Sequence, residues 1–158
     1  MPQNKQTLFF GVLLAVSLVS CGQVLFQDSQ TVPNKNWEIG NNIIFDVEVK
    51  DTMAGYDFYI DLRNEANYPY ANIYMFVNTI FPSGKSAKDT VECILADRTG
   101  RWLGNGLGDV IDNHILFKEN IRFPNKGTYS FAFEQGMRNE ALPAIIDVGI
   151  SIEKHTKK

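Results

Sequence analysis

From Trp37 onward the apolar positions of this chain recur every second residue. Phe45, Val47 and Val49 alternate with Asp46, Glu48 and Lys50, and Tyr56, Phe58, Ile60 and Leu62 alternate with Asp57, Tyr59, Asp61 and Arg63. Tyr129, Phe131 and Phe133 repeat the pattern, as do Ile146, Val148, Ile150 and Ile152. Successive side chains of a strand point to opposite faces, so this period predicts antiparallel strands with one face buried and one wet. Asn72 to Phe81 is apolar or aromatic at both parities, which predicts a central strand covered on both sides. Val91 to Leu95 and Ile115 to Phe123 complete the set.

Turn-forming clusters separate these runs at Asp51–Gly55, Asn64–Asn67, Pro82–Lys85 and Pro124–Gly127. The last of them predicts a hairpin between Ile115–Phe123 and Thr128–Gln135. Gln135 to Ala141 is the one stretch suited to a helical turn, stopped before Pro143. About seven to eight strands without a long helical pattern predict an all-β fold, an antiparallel β-sandwich of the immunoglobulin-like or jelly-roll-like kind, spanning residues 37–153. A basic tail, residues 154–158, follows.

The N-terminus follows a different pattern. Lys5 precedes an apolar run from Leu8 to Val19, and Leu18-Val19-Ser20-Cys21 follows. A basic flank, a short apolar core and small residues make a bacterial secretory signal, and the core is too short to remain as a membrane span. Leu-Val-Ser-Cys has the form of a lipobox, which predicts a lipoprotein signal peptide over residues 1–20 and lipidation of Cys21. The alternative is an ordinary signal cut near Ser20, with Cys21 an incidental thiol. Each buried lipid CH₂ is worth about 0.8 kcal/mol and a single chain attaches reversibly, so stable anchoring needs more than one acyl chain. Gly22 to Lys35 is polar and shows no sustained period. It predicts a flexible tether within residues 21–36, able to reach about 48 Å when extended.

Composition narrows the function classes. Removing residues 1–20 leaves 138 of 158 residues, enough for one domain with a real core. The formal charge of the whole chain is −3 with its lysines scattered, which offers no footprint for nucleic acid. With Cys21 lipidated, Cys93 has no disulfide partner within the chain, and its apolar neighbours predict a buried, inert thiol.

Chemical motifs are sparse. Four glycines in Gly100–Gly108 suggest a phosphate loop, but no Lys-Ser/Thr pair follows and no helix opens after them. A loop crossing the end of the sandwich, with Trp102 packed back on the core, fits these residues better. Asp97, Asp109 and Asp112 would meet a calcium ion only if that loop folded back on itself, and their spacing matches no calcium-loop pattern. His114 and His155 are the histidines. His114 is the one candidate for a Ser-His-Asp arrangement, and two histidines so far apart make a poor zinc site. The expectation is a protein without enzymatic activity, cofactor or metal. Exposed aromatic residues are the better candidates for a working surface: Tyr59 on a polar parity, and the Tyr68-Pro69-Tyr70 corner.

Several of these segments resemble a known family. Asp51-Thr52, Leu62-Arg63-Asn64, Tyr68-Pro69-Tyr70-Ala71-Asn72, Leu95-Ala96-Asp97, Gly100-Arg101-Trp102-Leu103-Gly104-Asn105-Gly106, Glu134-Gln135-Gly136-Met137-Arg138, Leu142-Pro143 and Asp147-Val148-Gly149 occur in the order of the gliding-motility lipoprotein H family of Bacteroidetes. The resemblance runs from about Trp37 to Ile152, and the Cys21 lipobox fits it. It implies a non-enzymatic lipoprotein of the gliding apparatus, envelope proteins tied to type IX secretion, with other envelope proteins as partners. The outer membrane is the default location. Tyr68, Tyr70, Trp102 and Arg138 are the candidate binding surface, with no catalytic residues to carry over. The competing expectation is a surface or periplasmic carbohydrate-binding lipoprotein.

Overall fold

A computed structural model describes residues 24–156, so Cys21 and the signal segment lie outside the described residues. The described residues form eleven strands: β1 (Val24–Thr31), β2 (Asn36–Glu38), β3 (Ile43–Val49), β4 (Tyr56–Glu65), β5 (Asn72–Ile80), β6 (Ser86–Ile94), β7 (Asn105–Leu107), β8 (Val110–Ile121), β9 (Gly127–Gln135), β10 (Ala141–Pro143) and β11 (Ile145–Lys154). A five-stranded sheet has the order β1-β11-β4-β8-β7, and a four-stranded sheet the order β3-β9-β5-β6. A small β10-β2 pair accompanies them. All pairings are antiparallel. The fold is the all-β sandwich that the period of two predicts.

The alternating residues face each other across the two sheets. Phe58, Ile60, Leu62, Val148, Ile150 and Ile152 from one sheet meet Phe45, Val47, Ile73, Met75, Val77 and Phe133 from the other, all buried. Cys93 is buried among them, and burial pushes its thiol pKa up to about 12, so it stays protonated and inert. Asn64 and Asn113 also face inward. Asn113 Nδ2 donates to the Leu62 carbonyl and to Asn64 Oδ1, both at 2.9 Å, which satisfies the pair within the core.

Four local expectations are corrected. The tether is largely a strand: Val24–Thr31 pairs with β11 from Val24 opposite Glu153 to Thr31 opposite Asp147. As an edge strand it is held through backbone groups, and only Leu25 and Phe26 pack inward, so its side chains carry no hydropathy period. The Pro124–Gly127 connection is no hairpin. β8 pairs with β4 and β7, whereas β9 pairs with β3 and β5, so the link arches from one sheet to the other. Phe123, in that arch, is buried against Tyr56 and Tyr129.

The helical turn over Gln135–Ala141 is absent, and the end of β9 runs through a bend into β10. The buried Gln135 holds the bend: its Nε2 donates to the Asn139 carbonyl at 2.8 Å, and its Oε1 accepts from the Met137 N–H at 2.9 Å. These side-chain bonds supply what helical backbone bonds would have supplied. Finally, β5 is covered on one face only. Tyr74 is exposed and Phe76 half-buried on the outer face, where Lys88 Nζ lies 4.1 Å from the Phe76 ring centre.

Candidate functional site

The sandwich has two distinct ends. Val24, Val49, Tyr56, Ile80, Ile121, Gly127 and Lys154 are at one of them, as the strand registers and the two inter-sheet links require. Because β1 begins there, it is the end nearest the expected lipidation site Cys21 and is labelled the anchor end for that reason. Residues 66–71, 95–104 and 136–140 and the β7–β8 turn cross the opposite, distal end. All four candidate surface residues lie in these loops: Arg138 is exposed, Tyr70 and Trp102 are half-buried, and Tyr68 is buried behind them.

Loop 95–104 is organised around Asp97. Its Oδ1 accepts from Thr99 N (2.9 Å), Thr99 Oγ1 (2.6 Å) and Arg101 N (3.1 Å), and its Oδ2 from Arg101 Nε (3.2 Å). Hydrogen bonds to the charged form, Thr99's foremost, lower the Asp97 pKa to about 2. Asp97 is therefore the hub of a loop turn. Asp112 is paired instead with Arg63 at 2.6 Å, so these two acids serve separate partners. An Ala96–Trp102 bridge and a bond from Leu103 N to the Leu95 carbonyl close the loop on itself, with Trp102 half-buried against the core as expected.

Gly104 in this motif approaches its neighbours too closely for any side chain. A Cβ there would lie 2.5 Å from both Asn113 Oδ1 and the Asp112 carbonyl. The Trp-Leu-Gly stretch is thus braced on the buried Asn64–Asn113 pair.

The Tyr-Pro-Tyr corner is tied to the same cluster through bonds from Leu95 N and Ala96 N to the Ala71 carbonyl. Tyr68 is buried, with its hydroxyl donating to the Asn72 carbonyl at 3.2 Å, and burial raises its pKa. It supports the surface from behind and offers no ring to a partner. Tyr70 is half-buried, and its hydroxyl donates to Asn139 Oδ1 at 3.0 Å, which links the corner to the loop carrying the exposed Arg138.

Sequence reasoning missed the exposed apolar side chains among these loops. Ile39, Leu103 and Leu107 are 53%, 55% and 87% exposed, and Ile94, at the distal end of β6, is 51% exposed. Leu107 could have been found as the lone apolar residue beside a Gly-Asp turn.

A second polar surface covers the outer face of the five-stranded sheet. Arg63 bridges Asp112 (2.6 Å) and Asp147 (3.1 Å), and His114 Nδ1 lies 2.5 Å from Asp61. These residues line an open cleft of about 560 Å³. Ser151 Oγ donates to the other oxygen of the same Asp61. Asp61, rather than His114, is therefore the central member, so the order is not that of a Ser-His-Asp triad. Tyr59 stacks on His114 with ring centres 4.0 Å apart. His155 belongs to a separate group near the anchor end, where ligand atoms of Asp57, Glu119 and His155 lie within 4.8 Å of one another.

The class these features define is a small antiparallel β-sandwich whose most highly braced loops gather at one end. The family model described as GldH lipoprotein matches residues 24–152. The chain is 33% identical over 153 residues to the gliding motility lipoprotein GldH of Flavobacterium johnsoniae, covering 91% of this chain and 95% of that protein. It is 30% identical over 155 residues to the gliding motility lipoprotein GldH homolog of Christiangramia forsetii, covering 94% and 95%. The chain belongs to the GldH lipoprotein family, the family its sequence motifs resemble.

Proposed function

We propose that this chain is a lipid-anchored envelope protein that serves gliding motility, or the secretion machinery tied to it, by binding another envelope protein through its distal loops. Cys21 carries the lipid, and the outer membrane is the membrane that holds it. The observation that carries this reading is the distal loop cluster. Backbone and side-chain hydrogen bonds hold those loops in place while Leu103 and Leu107 stand in solvent. Exposed apolar side chains grouped on a rigid frame are what a protein partner desolvates, and fixed loops lose little freedom on docking.

Affinity capture of the native, full-length protein tests it. A Leu103→Asp/Leu107→Asp variant is expected to lose captured envelope protein at least about tenfold with its thermal midpoint unchanged, because neither side chain supports the core. Capture that survives these changes, together with Tyr70→Ala and Trp102→Ala, overturns the reading.

The polar cleft around Arg63, Asp112, Asp147 and His114 favours a second reading, recognition of a glycan. Carboxylate, guanidinium and imidazole groups converging beside the Tyr59 ring suit polyhydroxylated ligands. Saturable binding in a glycan titration that disappears in Arg63→Ala would move the working surface from the distal loops to this face.

A further inference from the structure

We infer that the anchor end of the sandwich is a membrane-contact surface, which seats loops 50–55, 81–85 and 122–126 on anionic phospholipid headgroups and points the distal loops away from the bilayer. This inference rests on the reading of Cys21 as the lipidated residue. Its starting point is the conversion of the expected tether into β1. Only Gly22 and Gln23 separate Cys21 from Val24, the first residue of a strand paired with β11. Three residue steps reach about 10 Å, against about 48 Å for the tether expected from composition. A body held that closely cannot tumble freely above the bilayer, and the end where β1 begins must lie next to it.

The charge of that end matches the surface it would meet. The chain as a whole is acidic, with a net charge of −3. Yet Lys50, Lys85, Arg122, Lys126 and Lys154 form an exposed rim at this end, and Asp51 is the acid within its three loops. Asp51 is turned into its own loop, accepting from Met53 N at 2.9 Å and Ala54 N at 3.3 Å. Lys50 lies 3.5 Å from Glu48. Among the described residues, no ion pair holds Lys85, Arg122, Lys126 or Lys154. Asp57, Glu119 and Glu153 stand behind the rim on the strands, with Asp57 engaged by His155 at 2.8 Å. Met53, 79% exposed at the tip of loop 50–55, supplies an apolar side chain of the kind that enters the headgroup layer.

The distal loops make the contrast. Arg98, Arg101 and Arg138 are offset there by Glu38, Asp97, Asp109 and Glu140, and the apolar Leu103 and Leu107 stand exposed among them. Anionic leaflets attract clustered Lys and Arg near the surface, and the attraction falls off within a Debye length. The short link brings this rim within that range. β4 and β11, of ten residues each, then lift the distal loops about 33 Å above it.

The test uses the full-length lipidated protein in vesicles of three parts phosphatidylethanolamine to one part phosphatidylglycerol, with a quencher carried on a lipid headgroup. A fluorophore is placed on Met53→Cys or on Leu107→Cys; the buried Cys93 stays unlabelled in the folded protein. The probe at 53 is expected to be quenched at least about threefold more than the probe at 107. Reversing four cations together (Lys85→Glu, Arg122→Glu, Lys126→Glu, Lys154→Glu) should shrink that difference to what the short link alone imposes, while the protein stays attached. Raising salt on the unreversed protein should shrink it reversibly, without any change of sequence. Equal quenching at both positions of a lipidated chain overturns the orientation, and a difference indifferent to both charge reversal and salt overturns the contact with anionic headgroups. Intact mass of the same sample reports the acyl chains separately, and their absence overturns the reading of Cys21 and the orientation with it.

Discussion

The two ends of this sandwich are closed by different means, and the means decide what each end shows to its surroundings. At the anchor end, Tyr56, Phe81, Phe123 and Tyr129 form a run of ring contacts, with centres 4.8 to 5.6 Å apart. Aromatic packing of this kind contributes about 0.5–1.5 kcal/mol per pair beyond area burial. It holds the arches from the inside, so their outer positions are free to be lysine and arginine. At the distal end the plug is Trp37 from β2, with Leu142 from β10, both fully buried. Outside that plug the loops are held by hydrogen bonds among themselves: the Asp97 turn, the Tyr70–Asn139 bond and the Gln135 bend. Bonds that run along the loops leave Leu103 and Leu107 with nothing of their own to cover. The anchor loops rest on a run of buried rings and carry a rim of cations, whereas the distal loops are tied to one another by polar bonds and leave Leu103 and Leu107 exposed.

The most damaging way to break this contrast is to remove the distal plug. Trp37→Ala deletes a fully buried indole whose Nε1 donates to the Asn41 carbonyl at 2.9 Å, and should cost about 3–5 kcal/mol in a denaturant titration. The anchor-end rings should remain the last region to exchange their amides. If both ends lose protection together, they are not separately ordered.

A smaller and more pointed change is Gly149→Val. A Cβ at Gly149 would lie 2.7 Å from the Asp28 carbonyl and 2.9 Å from Ser29 Cβ, so the side chain must push β1 off β11. The expected loss is about 1–3 kcal/mol, with faster amide exchange over Val24–Thr31 and little change in β3 or β9. Freed in this way, β1 would lengthen the link to Cys21, and the difference between probes at 53 and 107 should fade. Unchanged protection of β1 would show that this glycine does not set the strand's docking.

The smallest effect is confined to one distal loop. Asp97 has a carboxyl pKa lowered to about 2 by Thr99 and Arg101, against an ordinary value of 3.8. A depressed folded-state value means that its contribution is present in full above the ordinary value and is lost as pH falls through about 2. NMR titration should therefore find this carboxyl still charged at pH 3. Asp97→Asn should speed amide exchange at Thr99 and Arg101 while leaving the global unfolding midpoint unchanged. A carboxyl that titrates near 4 would remove Asp97 as the loop's organiser.

How much of this was legible in advance depended on whether an element uses side chains or backbone to hold its place. β3, β4, β9 and β11 each bury one full parity, so Phe45 to Val49 or Tyr56 to Leu62 could be read directly as strands. β1 buries almost nothing and pairs through main-chain groups, which are the same for every residue, so it read as a tether. The Pro124–Gly127 link read as a hairpin because a short turn is compatible with either a hairpin or an arch. Burial of Phe123 between the sheets decided the matter. The candidate surface was partly visible through its aromatic and glycine motifs. Burial divided those residues into Trp102, Tyr70 and Arg138 at or near the surface and Tyr68 behind it. Leu107 went unnoticed because a single exposed leucine has no pattern.

Alternation along the chain pointed to an antiparallel sandwich and its inward-facing residues, since a period of two puts alternate side chains on one face, and the apolar neighbours of Cys93 pointed to its burial. The lipobox around Cys21 and the family motifs were equally matters of local order. Which strands share a sheet, which end β1 starts from, and which loops meet were decided only in three dimensions. Those features depend on contacts between residues far apart in the chain, such as Thr31 with Asp147 or Tyr70 with Asn139, and no local pattern records them.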